Sequence, residues 1–274
     1  MKLTVLTENH VPPSSNLLAE HGLSFYIETE NLKLIMDLGN TDVFLKNSEK
    51  LKIDLSNIDY LVFSHNHYDH TCGLKYWIEK FGKNKKIRLI AHDYAFYRRI
   101  DSYNGCGLID NDVEKYFSVQ KTIIPLELDE NLIFLGQIED SVNFEKRKIW
   151  GKLELPSKNI EDDFLLDDSA LIYRSEKGIV VITGCSHSGI CNIISYAKKV
   201  ALEKWNLSET YAVIGGMHLI KNAELHLNNV ISFLKKQNIH ELYPCHCTDF
   251  YAKAAFANHG LHVNEIGVGN CIEF

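Results

Sequence analysis

Four side chains able to bind a metal fall within six residues: His65, His67, Asp69 and His70, in the run Ser64-His-Asn-His-Tyr-Asp-His70. Imidazole nitrogen and carboxylate oxygen are the usual donors to zinc, iron and manganese. In an extended segment, residues two apart project to the same side, so His65 and His67 can share one ion. Asp69 and His70, slightly further on, can turn toward a second. A solvated, His-rich loop would carry the same residues. The run, however, directly follows Ile58-Asp-Tyr-Leu-Val-Phe-Ser64, an apolar stretch that reads as a strand buried on both faces, as a scaffold-held site requires.

One such loop cannot close two metal sites, because each ion needs about three protein ligands and an open position. Three further segments place a His just past a buried-looking strand, where pocket residues gather. They are Val180-Val-Ile-Thr-Gly-Cys-Ser-His187, Ala212-Val-Ile-Gly-Gly-Met-His218 and Pro244-Cys-His-Cys247. His187 and His246 are taken as ligands. His218 is either a ligand or a hydrogen-bond partner of substrate or leaving group. Cys185 is a candidate thiolate between two metals, set against the commoner fate of a free Cys as a small buried residue. Cys245 and Cys247 resemble half a zinc knuckle, but no matching pair occurs elsewhere. Gly267-Val-Gly269 is too short and too late for a dinucleotide loop. His10, His92, His226, His240, His259 and His262 lack the strand-end context and read as surface or packing residues. His21 is intermediate.

Around these motifs the patterning predicts strands over 2–6, 22–28 and 32–37 (the last two a hairpin), 58–64, 87–91, 131–136, 142–149, 169–174, 178–183, 211–215 and 239–243. Helices are predicted over 42–50, 73–81, 189–205, 222–236 and from 248 to 258. In the fourth of these, Leu225, Val230, Phe233 and Leu234 are expected to face inward. Residues 93–130 break the rhythm, interleaving Tyr94, Phe96, Tyr97, Tyr103, Tyr116 and Phe117 with Arg98, Arg99 and Gly105-Cys-Gly107. They read either as an insertion shaping a substrate pocket or as an aromatic-rich arm that could mediate a homodimer. The two halves of the chain share a plan, strands leading to a His-bearing loop and then a helix. A four-layer αββα sandwich of two mixed sheets, one α/β domain over residues 1–274, accounts for this.

The bulk properties narrow the function. The chain has 274 residues, 45% hydrophobic and 24% charged, ordinary for a globular protein with a substantial core. A formal charge of −7 disfavours sequence-independent binding to a phosphate backbone, and no sequence-specific nucleic acid partner is expected. No apolar run reaches membrane-span length, and the N-terminus lacks a signal-peptide layout. Seven scattered cysteines, an odd number, argue against a disulfide framework and for a reducing cytoplasm.

The motif His65-x-His67-x-Asp69-His70 resembles the signature of the metallo-β-lactamase-fold hydrolases. The resemblance implies that His65 and His67 bind one metal, that Asp69 and His70 bind the second, and that His246 completes the second site. Further blocks extend the likeness: Ala19-Glu-His-Gly-Leu-Ser24, Asp37-Leu-Gly39, Gly184-Cys-Ser-His-Ser-Gly-Ile190, Gly215-Gly-Met-His-Leu219 and His246-Cys-Thr248. They are similar to the branch named after the methyl-dihydropterin ribofuranosylaminobenzene-phosphate synthase. The chain departs from the superfamily at two points. Thr183-Gly184 is followed by Cys185 rather than a metal-bridging Asp, and Asp167-Asp-Ser-Ala170 stands where a His-containing loop is usual. His187 then supplies the third ligand of the first metal.

The expected activity is hydrolysis. Two divalent ions about 3.5–4 Å apart, zinc first and iron or manganese as alternatives, would hold a hydroxide for attack on a phosphoester, or next a lactone or other ester, of a small phosphorylated molecule. Asp69 would ligate and orient the nucleophile; His218 and Thr248 would contact the electrophile or a phosphate; Asp168 is an orienter or a turn carboxylate. The alternatives are a synthase joining a pterin methyl group to an aryl ribosyl phosphate, and a non-catalytic small-molecule or nucleotide binder with a vestigial metal site.

Overall fold

The computed structural model describes residues 1–83, 86–100, 108, 112–221 and 224–274. In chain order the strands are β1 (Lys2–Thr7), β2 (Ser24–Glu28), β3 (Lys33–Met36), β4 (Tyr60–Val62), β5 (Arg88–Ala91), β6 (Arg98–Ile100), β7 (Ser118–Lys121), β8 (Leu126–Glu127), β9 (Leu132–Phe134), β10 (Gly151–Glu154), β11 (Ile160–Asp163), β12 (Ala170–Ser175), β13 (Gly178–Thr183), β14 (Thr210–Gly216), β15 (Glu241–Cys245) and β16 (Cys271–Glu273). The helices are α1 (Val43–Lys50), α2 (Tyr68–Thr71), α3 (Leu74–Phe81), α4 (Val113–Tyr116), α5 (Ile190–Trp205), α6 (Glu224–Lys236) and α7 (Phe250–Asn258). They fall into two compact units. One comprises Met1–Ile123, Ile149–Asp167 and Gly267–Glu273; the other comprises Ile124–Lys148, Asp168–Ile266 and Phe274.

The first unit is built on a sheet of order β16-β1-β2-β3-β4-β5-β7. Its β16 to β3 half is antiparallel, and the β3-β4-β5-β7 half is parallel. Ile35, Leu61 and Leu89 pack on one face against Phe44 of α1 and Leu74 and Trp77 of α3. Met36, Val62 and Ile90, which point the other way, are equally buried. A smaller sheet, β11-β10-β6, completes the unit. Part of the 93–130 segment is therefore sheet: β7 forms an edge of the large sheet and β6 pairs with β10. Tyr103 and Gly105-Cys-Gly107, invoked for a pocket-shaping role, lie outside the described residues.

The second unit has the sheet β15-β14-β13-β12-β9-β8, parallel from β15 to β13 and antiparallel beyond. Its helix-covered face buries Ile172, Val181, Val213 and Leu242 against Ile193, Ile194 and Ala197 of α5 and Val230 and Leu234 of α6. Pro244, which lacks an N–H, sits in β15 at the sheet edge, where a missing donor is tolerated.

Most elements fall where the apolar patterning puts them, and three expectations are corrected. Residues 142–149 are not a strand. Asn192 Oδ1 accepts from Ser141 and Val142 N–H at 2.9 and 2.8 Å, and Glu145 Oε2 accepts from Cys191 and Asn192 N–H at 2.7 and 3.1 Å. The segment thus satisfies the exposed amides at the start of α5, and those donors outweigh its weak alternation. Leu225 is exposed, not inward, because it lies in the first turn of α6 off the stripe formed by Val230 and Leu234. Asp69 and His70 lie in the one-turn helix α2 rather than in a loop.

Cys72 is disulfide-bonded, whereas Cys185, Cys191, Cys245, Cys247 and Cys271 are thiols. One bridge is no framework, but it removes cysteine usage as an argument for a reducing compartment. Among the described residues, no helix is long and apolar enough to cross a membrane.

Gly73, between α2 and α3, has no room for a side chain: a Cβ there would fall 2.2 Å from the Leu38 carbonyl oxygen. That corner is pinned by Leu38 N–H donating to the His70 carbonyl at 2.8 Å and Gly73 N–H donating to the Gly39 carbonyl at 3.1 Å. Gly73→Ala is expected to cost about 1–3 kcal/mol by overpacking, read from the midpoint of urea unfolding.

Candidate metal centre

The candidate ligands lie past the carboxyl ends of strands in the parallel parts of the two sheets. That is where crevices form in such sheets and where backbone can leave the ladder to carry polar groups. Four of these turn residues, Asp37, Ser186, His218 and His246, have positive φ without being glycine (+60°, +65°, +48° and +53°). Left-handed backbone of this kind is held by surrounding structure and concentrates at functional sites.

In the first unit, β4 delivers His65 and His67. Nε2 of His65 and Nδ1 of His67 converge at 3.1 Å, and the His65 and His70 ring centroids are 4.2 Å apart. The donor atoms of Asp69 and His70 lie within 4.8 Å of each other. Burial, helped by the Arg99 charge, lowers the His67 imidazole to about 3, so it is neutral, the form whose lone pair ligates a metal. His70 is oriented by Asp37, whose Oδ2 lies 2.7 Å from His70 Nδ1. A carboxylate only accepts, so the His70 proton sits on Nδ1 and Nε2 keeps its lone pair. Asp37 also accepts from Ser64 N–H at 2.8 Å and Ser64 Oγ at 2.6 Å. Beneath the loop lies a buried ion cluster. Arg99 donates to Asp163 at 2.7 Å, to Asp167, and to the Asn66 carbonyl at 3.2 Å.

In the second unit, β13 delivers Cys185 and His187, β14 His218, and β15 His246. The Cys185 sulfur lies within 4.8 Å of a ring nitrogen of His187 and of one of His246. His187 and His218 have ring centroids 4.4 Å apart. Among the described residues, His218 joins neither group of convergent donors. The strand ends are cross-braced: Ser186 Oγ donates to the Gly216 carbonyl at 2.6 Å, and Cys247 Sγ to the Cys185 carbonyl at 3.3 Å. Gly215 is required here, because its φ is +126° and a Cβ would fall 2.2 Å from the Thr183 carbonyl oxygen. Thr248 is buried, and its hydroxyl accepts from Met217 N–H at 2.9 Å, so it braces the His218 turn.

Two residues without an assigned role belong here. Asp37 is the hub for His70 and Ser64. His21 Nε2 lies 3.2 Å from Asp69 Oδ2, and that bond raises the imidazole pKa above its ordinary value. Their signals were present, an Asp ending the β3 strand and a His beside a glycine, but neither resembles a ligand spacing.

The profile of the metallo-β-lactamase superfamily matches residues 18–199, and the chain belongs to that superfamily. It is 36% identical over 240 residues to an uncharacterised protein of Methanocaldococcus jannaschii, covering 85% of this chain and 86% of that one. It is 30% identical over 273 residues to the 7,8-dihydropterin-6-methyl-4-(β-D-ribofuranosyl)-aminobenzene-5′-phosphate synthase of the same organism, covering 93% and 90%. Among solved structures it is similar to Tm1679, described as a metal-dependent hydrolase of the β-lactamase superfamily, with a TM-score of 0.83, 28% identity and coverage of 100% and 99%. A diphosphatase of the PhnP family shares the fold alone, with a TM-score of 0.56, 12% identity and coverage of 100% and 97%. The α/β architecture is thus the metallo-β-lactamase fold.

The donors fit a divalent ion. They are buried or half-buried, with His67 neutral, His70 fixed by a carboxylate and a thiol within 4.8 Å of an imidazole nitrogen of His187 and of His246, which is how transition-metal ligands are prepared.

Proposed function

We propose that the chain is a metal-dependent hydrolase acting on a phosphoester of a small molecule. The observation that carries the reading is the convergence of His65 Nε2 and His67 Nδ1 at 3.1 Å, both buried. With a proton on one ring this is an imidazole–imidazole hydrogen bond, and with both nitrogens presenting lone pairs the same spacing suits a shared cation. In this reading His65, His67, Asp69 and His70 of the first unit, and Cys185, His187 and His246 of the second, would serve as ligands of divalent ions. Zinc suits this nitrogen, sulfur and carboxylate set, with iron or manganese as alternatives. Bound there, such ions supply Lewis acidity and a water of lowered pKa.

The side chains do the rest. Asp69 ligates and orients the attacking group, with His21 sharing its hydrogen bonding. The imidazole of His218 donates to the phosphoryl or leaving oxygen. The negative charge of the chain favours a compact phosphorylated substrate over a polyanion.

One observation favours a second reading, synthesis rather than hydrolysis: the 30% identity to the Methanocaldococcus synthase. Purified protein loaded with zinc, manganese or iron(II) decides between them on bis(4-nitrophenyl) phosphate and phosphomonoesters. Hydrolysis predicts turnover that a chelator removes and added metal restores. Absence of turnover with every metal and ester, together with tight binding of a reduced pterin, overturns it in favour of the synthase.

A further inference from the structure

Residues 167 and 168 are consecutive aspartates, both fully buried. Each carboxylate reaches a backbone amide in a ligand-bearing segment of its own unit. Asp167 Oδ2 accepts from Asn66 N–H at 2.8 Å, and Asn66 stands between His65 and His67. The other Asp167 oxygen takes the Arg99 guanidinium. Asp168 Oδ2 accepts from Ser188 N–H at 2.8 Å, the amide that follows His187, and the Ser188 hydroxyl donates back to the Asp168 carbonyl at 3.3 Å. One acid therefore fixes the peptide inside the His65-to-His67 segment. The other fixes the turn that carries His187.

The two differ in how their charge is met. A buried carboxylate costs several kcal/mol unless compensated. Asp167 has the Arg99 guanidinium against its Oδ1. Asp168 accepts from Ser188 N–H, and its Oδ1 meets no hydrogen-bond partner among the described residues. An Asn could accept from Ser188 N–H without burying a charge, so bracing the turn does not by itself account for an acid here. A cation held through His187 does, because a fixed negative charge beside its turn favours it.

We propose that Asp167 and Asp168 are positioning residues of the metal centre, Asp167 holding the His65-Asn66-His67 segment and Asp168 holding the turn of His187. The inference rests on the metal-dependent reading above.

The test is zinc affinity of the apo-protein, by competition with a chromophoric chelator, alongside circular dichroism and thermal melting without metal. Asp168→Ala is expected to weaken zinc binding about 10–100-fold, the usual effect of losing a partner behind a ligand, with Asp168→Asn between it and the unsubstituted protein. Asp167→Asn keeps the size and Asp167→Glu keeps the charge opposite Arg99; both are expected to weaken zinc about tenfold or more. Should Asp168→Ala not fold, the isosteric Asp168→Asn carries the test, with a loss beyond twofold expected. Folded variants that bind zinc within twofold of the unsubstituted protein, with only the melting temperature lowered, overturn the inference. An unsubstituted protein that binds no zinc, iron or manganese overturns the metal-dependent reading and this inference with it.

Discussion

His67→Ala is expected to lower metal-dependent phosphoester turnover on the order of 1,000-fold while leaving a folded chain. Lewis-acid catalysis contributes several kcal/mol to the transition state, and about 4 kcal/mol corresponds to a thousandfold at roughly 1.4 kcal/mol per factor of ten. His67 is the right ligand to remove because burial holds it neutral and its Nδ1 faces His65 Nε2 at 3.1 Å. Replacing it by Ala deletes a donor without leaving a buried charge, so the loss should fall on metal and rate rather than on folding. Steady-state turnover and metal content measured on one preparation check this. A variant that keeps its metal and more than a tenth of the rate contradicts the ligand assignment.

The largest effect on stability is expected at Arg99→Ala. This guanidinium is buried and bound to two buried carboxylates, Asp163 and Asp167, as well as to the Asn66 carbonyl. Removing it leaves two acids without their cation, a loss of about 3–5 kcal/mol. Against the 5–15 kcal/mol that roughly spans native stabilities, that is a large fraction. Urea unfolding at neutral pH measures it. Because the missing partner is a cation, the deficit should shrink as the pH is lowered and the stranded carboxylates protonate. An Arg99→Ala variant within about 1 kcal/mol of the parent would contradict this account of the cluster.

These two residues show how unevenly the sequence discloses the site. His67 is legible from spacing alone, because three imidazoles and a carboxylate in six residues have few structural uses. His187 and His246 stand out by context, since each follows an apolar run that becomes β13 or β15, whereas His218, in the same context after β14, joins neither group of convergent donors among the described residues. Arg99 is not legible. It lies in an aromatic-rich segment that reads as an insertion, and its partners are 64 and 68 residues away. Asp37 is hidden for a similar reason: its role appears only when β3 and β4 pair in parallel and bring it beside Ser64 and His70. The 142–149 segment fails differently. Its weak alternation suggests a strand, but the amides that open α5 recruit Glu145, and periodicity cannot reveal a long-range cap. Strands and helices defined by continuous apolar faces were thus readable, whereas the polar contacts that orient the ligands were not.

If the convergent donors constitute a metal centre, the folded chain holds transition metal in a fixed ratio. The chain, purified without chelator and equilibrated with micromolar free zinc, should retain about two divalent ions per folded molecule by elemental analysis, and His67→Ala should retain fewer. A folded chain that retains no transition metal under those conditions, with His65, His67, Asp69, His70, Cys185, His187 and His246 intact, would contradict it.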